Sequence, residues 1–243
     1  MISSQLNQSL ALRYGVSHGE EHVKKAFDFS LITEALKDVP EDAIATECAV
    51  VFSDISGFSS RVAHLGPNEI KDFLDSYYEL IIPIIYEHGG LIDQMLGDGI
   101  ISVFTPALSK EVGQDVFKAG LEAAEAIVSG FSGQGDFSTK CALHKDEAVI
   151  CQVGDQNYRQ ATIVGNLMTV VHRVESVAVD EAVNMLMSIP EADAMFAKAC
   201  RDTSARLLRG EPINARWDLS ESEVFLKGVG TGKQSLLIQK YIR

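Results

Sequence analysis

Three successive segments constrain this fold more than anything else in the chain. They are a short β-branched run ending in an aspartate, a long stretch with helical spacing, and two short apolar runs around Gly97-Asp98-Gly99. The first, ECAVVFSDI at 47–55, has the length and composition of a buried strand. The second, 66–90, repeats Ile70, Phe73, Leu74, Tyr77, Ile81 and Ile85 at helical spacing, with Pro67 near its start and Gly89-Gly90 at its end. Pro83 inside it predicts a kink or an early stop. The runs 91–96 and 100–105 predict a β-hairpin with Asp98 at its tip.

Farther along, 110–131 is Ala-rich and periodic, which predicts a second long helix. Strands are expected at 138–144 and around 147–153, then a Gly165-Asn166 turn opening a helix to about Val177. The tail from Glu223 reads as two strands around a Gly-rich turn. Strand–helix–hairpin–helix–strand at this spacing is an α+β chain with a ferredoxin-like βαββαβ core. Residues 1–45 read as an N-terminal helical extension, broken at Pro40, ahead of one domain over 46–243.

Length and charge narrow the function classes. The 243 residues suffice for a sizeable core, and 34 acidic against 21 basic side chains leave a net charge of −13. That surface opposes sequence-independent binding to nucleic acid and docking on anionic lipid. The N-terminus has no basic stretch leading into an apolar one, and no apolar run reaches membrane-spanning length. Cys48, Cys141, Cys151 and Cys200 lack metal-site spacing and read as small buried hydrophobes in a reducing compartment. His18, His22, His64, His88, His144 and His172 have no ligand spacing and read as surface or packing residues. The expectation is a soluble, cytoplasmic protein.

Two segments carry candidate chemistry. In VFSDISGF (51–58) a buried strand ends in Asp54, and backbone amides then turn into a helix start, a ready anion cradle. In LGDGI (96–100) Asp98 sits on the hairpin tip. Taken singly, an aspartate after a strand is usually a helix cap and Gly-Asp-Gly usually a turn. Two carboxylates on adjacent apolar strands are another matter, because a charge there needs a reason. Paired aspartate oxygens suit Mg²⁺ or Mn²⁺, and the absence of Cys or His beside them disfavours zinc.

VFSDISGFSS, EHGGLIDQMLGDGIISVF and VGNLMTVVHRVES together resemble the catalytic domain of the class III nucleotidyl cyclases. The likeness runs from Glu47 to the C-terminus in motif order and spacing. The diguanylate cyclases share a related core, but their Gly-Gly-Asp/Glu-Glu-Phe hairpin is absent here. The resemblance implies a homodimer with two composite interface sites and two divalent cations, Mg²⁺ or Mn²⁺. It assigns metal binding to Asp54, Asp98 and the Ile55 carbonyl, and phosphate binding to Gly57, Phe58 and Ser59. Arg173 matches the arginine that stabilises the α-phosphate in the transition state, a use suited to a planar, permanently charged fork. Lys227 resembles, more loosely, a lysine directed at the terminal phosphates. A plain surface role for Arg173 would be an ion pair with Glu175.

Departures from the family pattern fall in the base-reading half. Adenylate cyclases carry lysine and guanylate cyclases glutamate four residues before the second aspartate; this chain has Gln94. The partner position is Thr162, and the asparagine expected four residues before the arginine is Thr169. Gln94 both donates and accepts, matching the O4 and N3–H edge of uracil. A short cyclase of this kind also resembles the bacterial pyrimidine cyclases of anti-phage signalling, whose cyclic UMP or cyclic CMP activates a separate effector. The favoured substrate is therefore UTP. The alternatives are a divergent adenylate cyclase making cyclic AMP and a degenerate domain that binds nucleotide without turnover. The global acidity excludes nucleic acid and membrane as default partners, but two of the negative charges belong to the site itself, where a metal reverses the local sign.

Overall fold

The structure is a computed structural model that describes residues 43–107, 115–131, 138–155, 159–186, 194–195, 198, 201, 208–209 and 217–242. The N-terminal extension, apart from its last residues, lies outside the described residues, as do Cys200, His18 and His22. In chain order the elements are β1 (Ile44–Ile55), α1 (Phe58–Val62), α2 (Pro67–Glu87), β2 (Leu91–Met95), β3 (Gly99–Phe104) and α3 (Val116–Phe131). Then come β4 (Thr139–Gly154), β5 (Arg159–Val164), α4 (Asn166–Glu175), β6 (Ala182–Leu186), β7 (Trp217–Val224) and β8 (Gln234–Tyr241).

The sheet runs β2-β3-β1-β4-β6-β8-β7, with β5 paired to β4 beside this path. Its first four strands and the helices α2 and α3 form the expected βαββαβ core, with β1 antiparallel to both β3 and β4. β1 is buried because both its faces are covered. On one face, a Cβ added at Gly120 of α3 would lie 3.5 Å from Ala49, and Tyr77 of α2 packs on Phe131 of α3 with ring centroids 5.1 Å apart. On the other, Val50 and Phe52 share a core with Leu167, Val170, Val171 and Val174 of α4. Two-sided burial explains why AVVF reads as a continuous apolar run instead of an alternation.

α2 shows how its end signals work. The Gly66 N–H donates to Glu69 Oε2 at 2.7 Å, a side-chain cap closed from within the first turn. The helix runs through Pro83 to Glu87, so the early stop does not occur. An interior proline costs about 3 kcal/mol, whereas each buried isoleucine returns roughly 1.5–3 kcal/mol. Ile81, Ile82 and Ile85 are all buried and carry the helix through. At the far end a Cβ on Gly90 would lie 2.6 Å from the Phe104 ring, so only glycine lets the chain turn there.

Several expectations need correcting. The two strands foreseen at 138–144 and 147–153 are one strand, β4, because Lys145 and Asp146 continue the ladder opposite Ala49 and Cys48. β5 and β6 went unforeseen, β1 starts at Ile44, β7 starts at Trp217, and α4 ends at Glu175. The second long helix is described from Val116. No helix among the described residues is long and apolar enough to cross a membrane. Cys48 and Cys141 are buried free thiols as expected, whereas Cys151, on the protruding end of β4, is only half-buried. His172 packs edge-on against Phe52 at 5.1 Å.

Candidate active site

The β1–β3 ladder brings the two aspartates together. It ends with Asp54 opposite Gly99, and the next amide, Ile55 N–H, donates to the Asp98 carbonyl at 3.3 Å. The hairpin tip is closed by Leu96 N–H to the Gly99 carbonyl at 2.8 Å, with Gly97 at φ 78°. The Tyr78 hydroxyl of α2 donates to the Gly97 carbonyl and ties the tip to the helix. Gly99 is obligatory: a Cβ there would lie 2.6 Å from Phe52 Cε2 and 3.4 Å from Asp54 Oδ1.

This placement is electrostatically costly. Burial, and after it the charge of Asp98, push the Asp54 carboxyl up to about 6. Lys140 of β4 works the other way, with Nζ 3.5 Å from Asp54 Oδ2. The same ammonium lies 2.9 Å from Glu175 Oε1 at the end of α4. Burial by itself would lower the Lys140 ammonium, but Glu175, Asp54 and Asp180 outweigh it and hold it above the ordinary lysine range. Below the pair, the Thr139 hydroxyl donates to the Asp54 carbonyl at 2.7 Å, and the Ser56 hydroxyl donates to Asp180 Oδ1 at 2.6 Å.

The segment after Asp54 turns through Gly57, at φ 69°, into the five-residue helix α1, which has no side-chain cap at its start. Phe58 is anchored by its ring on Phe73 of α2, with centroids 5.9 Å apart. Gly57 and Ser59 are exposed.

Gln94 lies on β2 beside a register shift between Ile92 and Gln94, which makes Asp93 a bulged residue. A bulge breaks the strict alternation of faces and lets neighbouring side chains meet. Burial raises the Asp93 carboxyl, and the neighbouring Gln94 amide and Ile163 backbone N–H offset that rise only in part. Its Oδ2 is buried without a hydrogen-bond partner. Ile163 follows Thr162 on β5, so the Asp93 carboxyl lies near the strand that carries Thr162. Sequence reasoning passed over Asp93; its one signal was a carboxylate inside an apolar strand.

Thr169 and Arg173 sit one turn apart on the exposed face of α4, opposite its buried Leu167, Val170, Val171 and Val174. Glu175 pairs with Lys140, so it is committed away from the surface ion pair considered for Arg173. Lys227 is exposed in the loop joining β7 to β8.

A family model described as the adenylate and guanylate cyclase catalytic domain matches residues 41–211. The chain belongs to this cyclase family. The adenylate cyclase of Anabaena cylindrica is 24% identical over 175 residues, which cover 70% of this chain and 35% of that protein. The chain thus spans about a third of that relative's length. Among solved structures, the adenylyl cyclase CyaB from P. aeruginosa superposes with a TM-score of 0.59 at 17% identity, covering 83% of this chain and 98% of that one. The guanylate cyclase domain of RhGC from Catenaria anguillulae, solved with GTP, gives a TM-score of 0.60 at 16% identity, over 83% and 100% of the two chains. These likenesses establish the α+β cyclase fold.

Chemically, this cyclase domain offers a hard cation what it prefers. Asp54 and Asp98 could supply carboxylate oxygens to such an ion, and burial together with the Asp98 charge leaves the Asp54 carboxylate under-compensated. Mg²⁺ is commonly held by one or two carboxylates, with water and substrate phosphate completing its octahedron.

Proposed function

We propose that this chain is a phosphorus–oxygen lyase that converts a nucleoside triphosphate, with UTP favoured, to its 3′,5′-cyclic monophosphate and pyrophosphate. The observation that carries the reading is the approach of Asp54 and Asp98 at one end of the neighbouring strands β1 and β3, held by the Ile55–Asp98 backbone bond. Two divalent cations, Mg²⁺ or Mn²⁺, would be held by Asp54, Asp98 and the Ile55 carbonyl and would supply acidification of the ribose 3′-hydroxyl and neutralisation of the triphosphate. The ribose 3′-oxygen gives up its proton to solvent water and bonds to the α-phosphorus. The bond from that phosphorus to the bridging oxygen breaks, and its electron pair leaves with pyrophosphate. The Gly57, Phe58 and Ser59 amides and Lys227 hold phosphate oxygens, and Arg173 stabilises charge gathering on the α-phosphate.

Gln94 and Thr162 read the base, with Thr169 toward the ribose. With Asp93 accepting one Gln94 N–H, the amide keeps a carbonyl oxygen and a second N–H, an acceptor–donor pair for the N3–H and O4 of uracil. Asp54 and Asp98 of one protomer and Gln94, Thr162 and Arg173 of its partner build each site of a homodimer. The cyclic UMP product serves as a second messenger to a separate effector in anti-phage defence.

The test is purified protein with Mn²⁺ and each of the four triphosphates. Cyclic UMP should dominate. Dominant cyclic AMP would move the chain to the adenylate cyclases its curated relative represents. Nucleotide binding with no cyclic product from any triphosphate would make it a binding module.

A further inference from the structure

We infer that Lys140, held back by Glu175, is the site's own counter-cation and sets how tightly Asp54 takes a divalent ion. The inference rests on reading Asp54 as a metal ligand. Lys140 stands directly opposite Asp54 in the β1–β4 ladder, so its proximity is set by register and not by a mobile loop. Its ammonium is shared unequally, 2.9 Å from Glu175 and 3.5 Å from Asp54. The second distance is beyond ordinary hydrogen-bond length, so Asp54 is screened without being saturated.

All three side chains are four-fifths buried, with exposures of 19% for Lys140, 18% for Asp54 and 19% for Glu175. Charges at such depth interact more strongly than exposed pairs. Without Lys140, the Asp54 and Glu175 carboxylates would face one another and Asp98 uncompensated. With a divalent ion on Asp54, the ammonium is repelled, and Glu175 gives it a place to stay within the fold. Asp180, the other acid acting on Lys140, already accepts the Ser56 hydroxyl at 2.6 Å. If Glu175 lost its charge, the ammonium would close on Asp54 and compete with the metal. Lys140 and Glu175 are thus positioning residues that act through Asp54.

The experiment titrates the full chain with Mn²⁺ alone, reading free Mn²⁺ by its electron paramagnetic resonance signal and the bound state by thermal shift. Lys140→Met should tighten Mn²⁺ about tenfold and Glu175→Gln should weaken it about fivefold, the scale expected for a charge some 4 Å away in a partly screened site. In the Lys140→Met background, Glu175→Gln should weaken Mn²⁺ clearly less than in the wild type, because only the direct field of Glu175 on Asp54 remains and the part carried by the ammonium is gone. Lys140→Gln, which keeps a donor toward Glu175, should repeat the direction of Lys140→Met if the latter folds poorly. Each single variant loses an ion pair and lowers the metal-free melting temperature, which a merely structural role would also do; the opposite directions in Mn²⁺ affinity would not follow from it. Unchanged or weaker affinity in Lys140→Met overturns the inference. An equal effect of Glu175→Gln in both backgrounds also overturns it, assigning that effect to the general field. If wild-type Mn²⁺ binding is indifferent to Asp54→Asn, the metal reading itself fails, which is a different outcome from these.

Discussion

The Ile55 backbone N–H donates to the Asp98 carbonyl at 3.3 Å, one position beyond the Asp54–Gly99 pair that ends the β1–β3 ladder. Two residues distant in the chain are therefore brought to the same end of two central strands by backbone pairing. Their mutual repulsion and burial are a standing cost to the fold.

Asp54→Asn and Asp98→Asn should each lower cyclase turnover by at least about a thousandfold, since neither amide can replace a carboxylate on a divalent ion. Steady-state assays with Mn²⁺ and the preferred triphosphate measure this, with circular dichroism showing the fold retained. Residual activity within tenfold of wild type in either variant would remove that residue from the chemistry.

The stability of the metal-free protein should carry the signature of Asp54. Its carboxyl moves from 3.8 in the unfolded reference to about 6 in the fold, through burial first and Asp98 second. Between those values the folded state holds a proton that the unfolded chain has lost, so stability falls as pH rises through this window and levels off above it. Asp54→Asn removes the term. Its stability relative to wild type should be near zero at pH 4, climb through pH 6 and plateau by pH 7, at on the order of 1–2 kcal/mol. Chemical denaturation across that pH range, in chelator, checks both sign and midpoint.

Gly99→Ala should damage fold and site together. Its Cβ would lie 2.6 Å from Phe52 Cε2, and Phe52 is held by the edge of His172 and by the α4 core. Overpacking of this kind costs typically 1–3 kcal/mol, roughly. Gly97→Ala, with open space around its Cβ but a φ of 78°, should cost less, about 1 kcal/mol from backbone conformation. Thermal unfolding of the two variants ranks them.

Base choice should respond to Gln94. Gln94→Lys places an ammonium beside the Asp93 carboxyl, and the ratio of kcat/KM for ATP over UTP should rise at least about tenfold. An unchanged ratio would take Gln94 out of base reading. Asp93→Leu, which removes the partner that steadies the Gln94 amide, should narrow the differences among the four triphosphates and leave Mn²⁺ affinity unaltered.

Mixing Asp98→Ala with Arg173→Ala protein should restore activity that neither has alone. Random exchange makes half the dimers mixed, each with one intact site of two, so recovery should approach about a quarter of wild type. No recovery after proven subunit exchange would place Asp98 and Arg173 in the same protomer's site.

Much of this was legible beforehand because it is written in local pattern. The strand ending at Asp54, the helix over Ile70–Ile85 and the Gly97-Asp98-Gly99 tip follow from periodicity and turn chemistry, and with the Ala-rich second helix and the strand after it they imply the βαββαβ core. What escaped notice depends on partners. Lys145 and Asp146 are polar positions between the two expected strands, yet β1 pairs with their backbone and carries β4 through them. β5 and β6 are short and take their strand character from β4.

The sequence by itself indicated that Asp54 ends a buried strand and that Asp98 sits on a hairpin tip, since apolar run length and turn chemistry mark both. Tertiary structure alone decided what surrounds them. Lys140 is an ordinary polar position in the chain until register sets it opposite Asp54, and Glu175 is an ordinary helix end until α4 crosses the sheet and brings it to the same ammonium. Asp93 becomes a partner of Gln94 only through a bulge. Local pattern specifies which faces are buried; the charges that meet at a buried edge are specified by pairing between segments far apart in the chain, and no local window contains both.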